Sequence, residues 1–348
     1  MPAPSRHRVG RLLDELRFLA FLAPREAVQA LGRRLPLDQL RDRLPRFVSE
    51  RLRMGLYPAR VTDPLRVVCA REHPAWGTPP RLDPGLPIRF AGETRPRASV
   101  LIVTYGNLDL TRLCLASVQR AAAQKAASSF ELIVVDNAST DGTPAYLDEV
   151  AASGLLPIRV VKNSRNVGFA AANNQAAALA RGDVLVFLNN DTVVRAGWLD
   201  GLVQALDRDP SCGLVGPVTN SCGNEAQLGT HYSDLDGMER FASDHCGRHQ
   251  GEREELRMLT LFCAAMPAEL FRDLGGLDEG YGPGMFEDDD LGMAVQARGK
   301  RLMLLRDVFV HHYGGAAFSK LPPRQYLRLF YLNRRYFERK WRTRWQKR

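Results

Sequence analysis

Between residues 97 and 188 the chain alternates short apolar runs with longer stretches of helical spacing. Residues 100–104, 132–135 and 184–188 are continuous apolar runs, 159–162 is a short run centred on Val160-Val161, and residues 110–123 and 169–180 carry apolar positions at helical intervals. Strands without polar alternation, each followed by a helix, predict a sheet covered on both faces and built of parallel βα units. In such a sheet ligands bind beyond the carboxyl ends of the strands. The informative positions are therefore the polar residues that close each run: Thr104-Tyr105, Asp136-Asn137 and Asn189-Asn190-Asp191. A later run, residues 308–310, ends in His311-His312.

Upstream, residues 8–56 show helical spacing punctuated by Pro24, Pro36 and Pro45, residues 65–69 read as a strand, and Pro79 through Pro96 form a proline-rich connector. Downstream, Tyr326, Phe330, Phe337, Trp341 and Trp345 recur at spacings of four or seven. The expected organisation is an N-terminal extension over 1–97, an α/β domain over 98–318 and a C-terminal amphipathic helix over 319–348.

Charge sharpens the last assignment. The net charge is +9, yet from Lys320 onward eleven Lys or Arg stand against one acid, Glu338, so the rest of the chain is close to neutral. A basic, aromatic helix reads either as an interfacial element drawn to anionic lipid or as a terminal helix packing its rings on the body. Nucleic acid is not the expected partner, since no recognisable module accompanies the basic stretch.

With 348 residues, 45% of them hydrophobic, the chain has room for one large core plus appendages. Its six cysteines (Cys69, Cys114, Cys212, Cys222, Cys246 and Cys263) show no Cys-x-x-Cys spacing and are expected to be free thiols. No run of eighteen apolar residues offers a spanning helix, and the apolar stretch at residues 18–22 is too short and too interrupted for an export signal. The expected location is cytoplasmic, with peripheral attachment to the inner face of the plasma membrane.

No glycine-rich phosphate cradle follows any strand, so a nucleotide held by this sheet needs another means of neutralising its phosphates, and a divalent cation is the obvious one. Asp191 emerges from a rigid strand at the binding edge; it either holds such a cation or caps the next helix. Residues 286–291 read Phe-Glu-Asp-Asp-Asp-Leu after a glycine-rich approach. In a helix starting near Glu287, that residue and Asp290 share a face while Asp288 lies about 100° round. Asp288 is the candidate general base; the alternative is a solvated acidic helix start. For the two adjacent histidines, metal ligation competes with burial as satisfied core residues, and strand alternation lets only one face a given site.

In order along the chain, residues 100–105, the turn Asp136-Asn137-Ala138-Ser139-Thr140-Asp141-Gly142-Thr143, Asn166-Val167-Gly168-Phe169 with Asn174, Asn189-Asn190-Asp191, Gly275-Gly276-Leu277-Asp278-Glu279, Glu287-Asp288-Asp289-Asp290 and His311-His312-Tyr313-Gly314-Gly315 resemble the family 2 glycosyltransferases of GT-A fold, in particular the rhamnosyltransferase-like group. The resemblance covers roughly residues 97–319.

It implies an inverting transferase moving a sugar from a nucleoside-diphosphate sugar to a glycan or lipid-linked acceptor in cell-envelope polysaccharide synthesis. Donor-binding residues would be Thr104, Tyr105, Asp136, Asn137, Ser139, Gly168, Phe169, Asn174, Asn189 and Asn190. Mg or Mn would sit on Asp191 with His311 or His312. Gly276, Asp278 and Asp290 would form the acceptor side, and Asp288 with Glu287 the catalytic pair. Asn189 departs from the family's Asp-x-Asp pattern and is a weaker metal ligand than Asp. Outside this class, a non-catalytic sugar-nucleotide or glycan-binding protein and a metal-dependent phosphohydrolase or nucleotidyltransferase are the competing readings.

Overall fold

The computed structural model describes residues 81–88, 95–124, 128–314 and 322–346. The expected helices and strand of the N-terminal extension lie outside the described residues. The chain divides into two compact units, one of Met1–Val67 with Leu321–Arg335 and the other of Val68–Lys320 with Tyr336–Arg348. In the first, the described part is the leading portion of a helix, and the packing and site described below concern the second.

In chain order the elements are β1 (Ala98–Thr104), α1 (Leu108–Gln124), β2 (Phe130–Asp136), α2 (Thr143–Ser153), β3 (Ile158–Lys162), α3 (Phe169–Ala178), β4 (Val184–Leu188) and β5 (Thr192–Val193). Then come α4 (Trp198–Arg208), β6 (Cys212–Val218), α5 (Leu235–Arg248), β7 (Arg253–Leu256), β8 (Cys263–Pro267), α6 (Ala268–Asp273), a 3-10 turn at Glu279–Tyr281, α7 (Glu287–Ala297), β9 (Arg301–Phe309), β10 (His311–His312) and α8 (Pro323–Trp341).

Eight strands form one sheet in the order β3-β2-β1-β4-β8-β6-β9-β7. The first four run parallel, β8 opposes both β4 and β6, and β7 opposes β9. Alternate residues of a strand enter different cores, which is why the runs lack polar alternation. Val100, Ile102, Leu132, Val134 and Val186 pack with α1, α2 and α4 on one face. Leu101, Ile133, Val135, Leu185 and Phe187 pack with α3, α5 and α7 on the other.

The main sheet stops at Phe309, so the histidines do not close its last strand as the apolar run suggested. They form β10, which pairs antiparallel with β5, setting His312 opposite Thr192 and His311 opposite Val193. This small ribbon lies just past the carboxyl end of β4 and brings residues distant in sequence to that edge of the sheet. The five cysteines among the described residues are free thiols, and no described helix is long and apolar enough to cross a membrane.

Candidate functional site

Register places Thr104 opposite Asp136 at the ends of β1 and β2. The buried Thr104 hydroxyl donates to Asp136 Oδ1 at 3.1 Å, and that carboxylate also accepts from Ser139 N at 3.3 Å. Ser139 Oγ accepts in turn from Gly106 N, while Tyr105 is half-exposed at the rim. Asn137 is saturated. Its Nδ2 donates to Asn166 Oδ1 and the Gly168 carbonyl, and its Oδ1 accepts from Val167 N and Asn163 Nδ2. Two donors and two lone pairs are the full capacity of an amide, so Asn137 ties the two loops together rather than offering a free group to a ligand.

Gly168 begins α3 at φ 92°, and a Cβ there would lie 2.1 Å from the Gly282 carbonyl oxygen. Beside it Phe169 N donates to the Pro283 carbonyl. From α3, Asn174 reaches the 275–282 loop: Nδ2 donates to the Leu277 carbonyl and Glu279 Oε1, and Oδ1 accepts from Leu277 N. Gly276, at φ 83°, passes so close that a Cβ would stand 2.7 Å from Asn174 Oδ1. The 166–169 turn and the 275–283 loop are thus one bonded assembly. An open cleft of about 380 Å³ borders it, lined by Arg165, Asn166, Val167, Ala171, Gln175 and Glu279. Neither Asp191 nor Asp288 lines that cleft.

At the end of β4, Asn190 Nδ2 donates to Thr111 Oγ1, and Asp191 is buried. His312 Nε2 lies 3.3 Å from Asp191 Oδ1 and 3.5 Å from Asn189 Nδ2. His312 Nδ1 is 2.7 Å from the Ser221 carbonyl oxygen. A carbonyl only accepts, so Nδ1 carries the proton and neutral His312 turns a lone pair toward the carboxylate. A cation or a proton can be held between the two groups, with the Asn189 amide also within reach of Nε2. Burial alone would lower the His312 pKa, but Asp191 and the Ser221 bond outweigh it and the net direction is up. Among the described residues no three His, Cys, Asp or Glu side chains cluster as a metal cage. A two-residue set leaves room for phosphate oxygens and water, as hard cations on diphosphates require. His311 points the other way, with Nδ1 2.6 Å from Tyr232 OH, so of the two candidate ligands only His312 is brought to Asp191.

Before α7, Met285 and Phe286 hold φ of 78° and 77°, each costing about 1–3 kcal/mol for a side-chain-bearing residue. Glu287 and Asp290 are buried and Asp288 and Asp289 partly exposed, the division that helical spacing implies. Glu287 Oε2 has no hydrogen-bond partner among the described residues. Burial, then the Asp288 charge, push the Glu287 carboxyl up to about 8, and burial raises Asp288 as well. Asp290, expected on the acceptor side, has both oxygens engaged: Oδ1 accepts from Tyr281 OH and Trp341 Nε1, and Oδ2 from Lys340 Nζ. Asp278 caps the 3-10 turn through Gly280 N and also accepts from Lys340. Both carboxylates therefore brace the site's frame.

Sequence reasoning missed Asn220 and Ser221, which fix His312: Asn220 exchanges two bonds with the His312 backbone. They close the apolar strand β6, and the strand-end rule applied to the other strands would have found them. Phe262, whose ring stacks on His312 at 4.9 Å, has no comparable signal. Of the two readings of the basic tail, Phe337 is buried and Trp341 and Trp345 bond to acids of α7, so its last part packs on the body.

The model of the glycosyl transferase family 2 matches residues 99–275. The chain is 29% identical over 288 residues to the O-antigen biosynthesis protein RfbC of Myxococcus xanthus, covering 78% of this chain and 20% of that protein. It is 27% identical over 263 residues to the protein y4gI of Sinorhizobium fredii, covering 72% and 28% respectively. The chain thus spans less than a third of the length of these two relatives. Among solved structures, that of GalNAc-T7 with UDP, GalNAc and Mn2+ superposes with a TM-score of 0.50 at 19% identity, over 63% of this chain and 43% of that one. The likeness is one of fold: a mostly parallel sheet with helices on both faces, the GT-A arrangement.

Proposed function

The chain belongs to glycosyl transferase family 2, and on that premise we propose that it moves a sugar from a nucleoside-diphosphate sugar to a hydroxyl of a glycan or lipid-linked acceptor, with inversion. The observation that carries the reading is the facing pair Asp191 and His312 at a strand end, on the same sheet edge as Thr104 and Asp136. Thr104, Asp136 and Ser139 line the nucleoside end. Asn137 and Asn174 act through the loops they tie. Asp191 and His312 would hold Mg or Mn, which supplies positive charge for the departing diphosphate.

Asp288 accepts the proton of the acceptor hydroxyl as its oxygen attacks the anomeric carbon from the face opposite the diphosphate. One glycosidic C–O bond forms, the C–O bond to the nucleoside diphosphate breaks with its electron pair, and the configuration inverts. Burial and the Asp288 charge push the Glu287 carboxyl up, which favours its neutral form beside the base. That the similar RfbC is an O-antigen biosynthesis protein supports a cell-envelope polysaccharide as the product class. Exposed Arg339, Arg342 and Arg344 would draw the protein to the anionic inner face of the membrane, at about 1 kcal/mol per nearby cation. Co-sedimentation with anionic but not neutral vesicles is expected, and equal recovery with both contradicts that attachment.

A panel of UDP-, GDP- and dTDP-sugars with Mn2+, read by thermal shift and then by nucleoside-diphosphate release with and without saccharide acceptors, tests the function. Release that requires an acceptor is expected. Release without one points to a phosphohydrolase, and binding without release to a non-catalytic protein.

A further inference from the structure

Met285 and Phe286 both stand at positive φ immediately before α7, a conformation that bulky residues keep only where their surroundings impose it. The surroundings come from the chain's C-terminal segment. The Phe286 ring is buried, its centroid 5.9 Å from that of Phe337 and 5.4 Å from that of Trp345. Beyond the strained turn, the Lys340 ammonium donates to Asp278 at 2.6 Å and to Asp290 at 2.7 Å. One cation therefore joins the acceptor-side loop to the first turn of the helix that bears Asp288. Trp341 Nε1 takes the other oxygen of Asp290 at 2.7 Å. These bonds also offset the repulsion among four consecutive carboxylates, which an uncompensated buried Asp290 would otherwise add to.

We propose that the segment from Phe337 to Trp345 is the positioning element of the transfer site, with Lys340 the residue that fixes the start of α7 and hence the placement of Asp288. The inference rests on the reading of Asp288 as the base. Lys340 acts through Asp278 and Asp290 and touches no reacting atom, so its signature is a loss of turnover without a loss of donor affinity. Misplacing a reacting group by about an ångström costs on the order of a hundredfold.

The test compares full-length wild type, Lys340→Met and Lys340→Arg, using the sugar nucleotide from the panel that wild type turns over, with Mn2+. Lys340→Met is expected to lower kcat about ten- to hundredfold with the donor KM within about twofold, and to speed amide exchange at residues 285–290. Lys340→Arg is expected to restore most of the kcat. Unchanged kcat in Lys340→Met, or kcat and donor KM failing together, overturns the proposal. Should Lys340→Met not fold, Phe337→Leu must show the same split between kcat and KM, and its absence overturns the proposal equally. A wild type inert toward the whole panel is a different result: it removes the transfer reading itself.

Discussion

His312 presents Nε2 to Oδ1 of Asp191 at 3.3 Å while its Nδ1 is committed to the Ser221 carbonyl. The two residues can share a proton, which the raised His312 pKa favours, or hold a cation between them. Asp191→Ala is expected to weaken sugar-nucleotide binding in Mn2+ at least about tenfold and to erase the difference between titrations with and without the metal. Calorimetry reads both, and a metal effect that survives in the variant contradicts the assignment.

Gly168 is glycine because the Gly282 carbonyl occupies the space a side chain would need. Gly168→Ala combines that collision with a positive φ and is expected to cost about 2 kcal/mol or more. Gly154, at φ 65° and with open space within 4 Å of where a Cβ would stand, isolates the conformational part. Thermal melts should show Gly168→Ala well below Gly154→Ala, and equal melting temperatures would show that the two loops are not packed as described.

Glu287 carries a linkage that can be read without any substrate. Its carboxyl rises from 4.5 to about 8 on folding, so its contribution to stability is complete below pH 4.5, where both states are protonated. That contribution is lost as pH climbs toward 8, because the unfolded chain ionises first. Glu287→Gln removes the dependence. The melting temperature of the variant relative to wild type is expected to gain a few degrees, as an order of magnitude, between pH 5 and 8, and a constant difference across that range contradicts the buried, raised carboxyl.

The strand ends were legible because a doubly covered sheet writes its strands as unbroken apolar runs and ends them in polar residues, as at Thr104, Asp136 and Asp191. The reversed strands were not: β7 is the charged tetrapeptide Arg-Glu-Glu-Leu and β8 is Ala-rich, neither with strand periodicity. A two-residue ribbon such as β5 with β10 is too short to carry a period at all, so the meeting of Asp191 with His312 had to come from tertiary structure. Asn137 and Asn174 look like ligand-binding amides in sequence; their bracing role depends on partners up to 105 positions away. Lys340 was visible as a cation among cations, with nothing local to single out its two carboxylates.

The most direct test of the account is Asp288→Asn, which keeps the shape of the side chain and removes its capacity to take a proton. Transfer to a saccharide acceptor is expected to fall by about 10²–10⁴-fold, with sugar-nucleotide affinity in Mn2+, measured by calorimetry, within about twofold of wild type. Turnover within a few-fold of wild type, with binding intact, would contradict Asp288 as the base and with it the proposed mechanism.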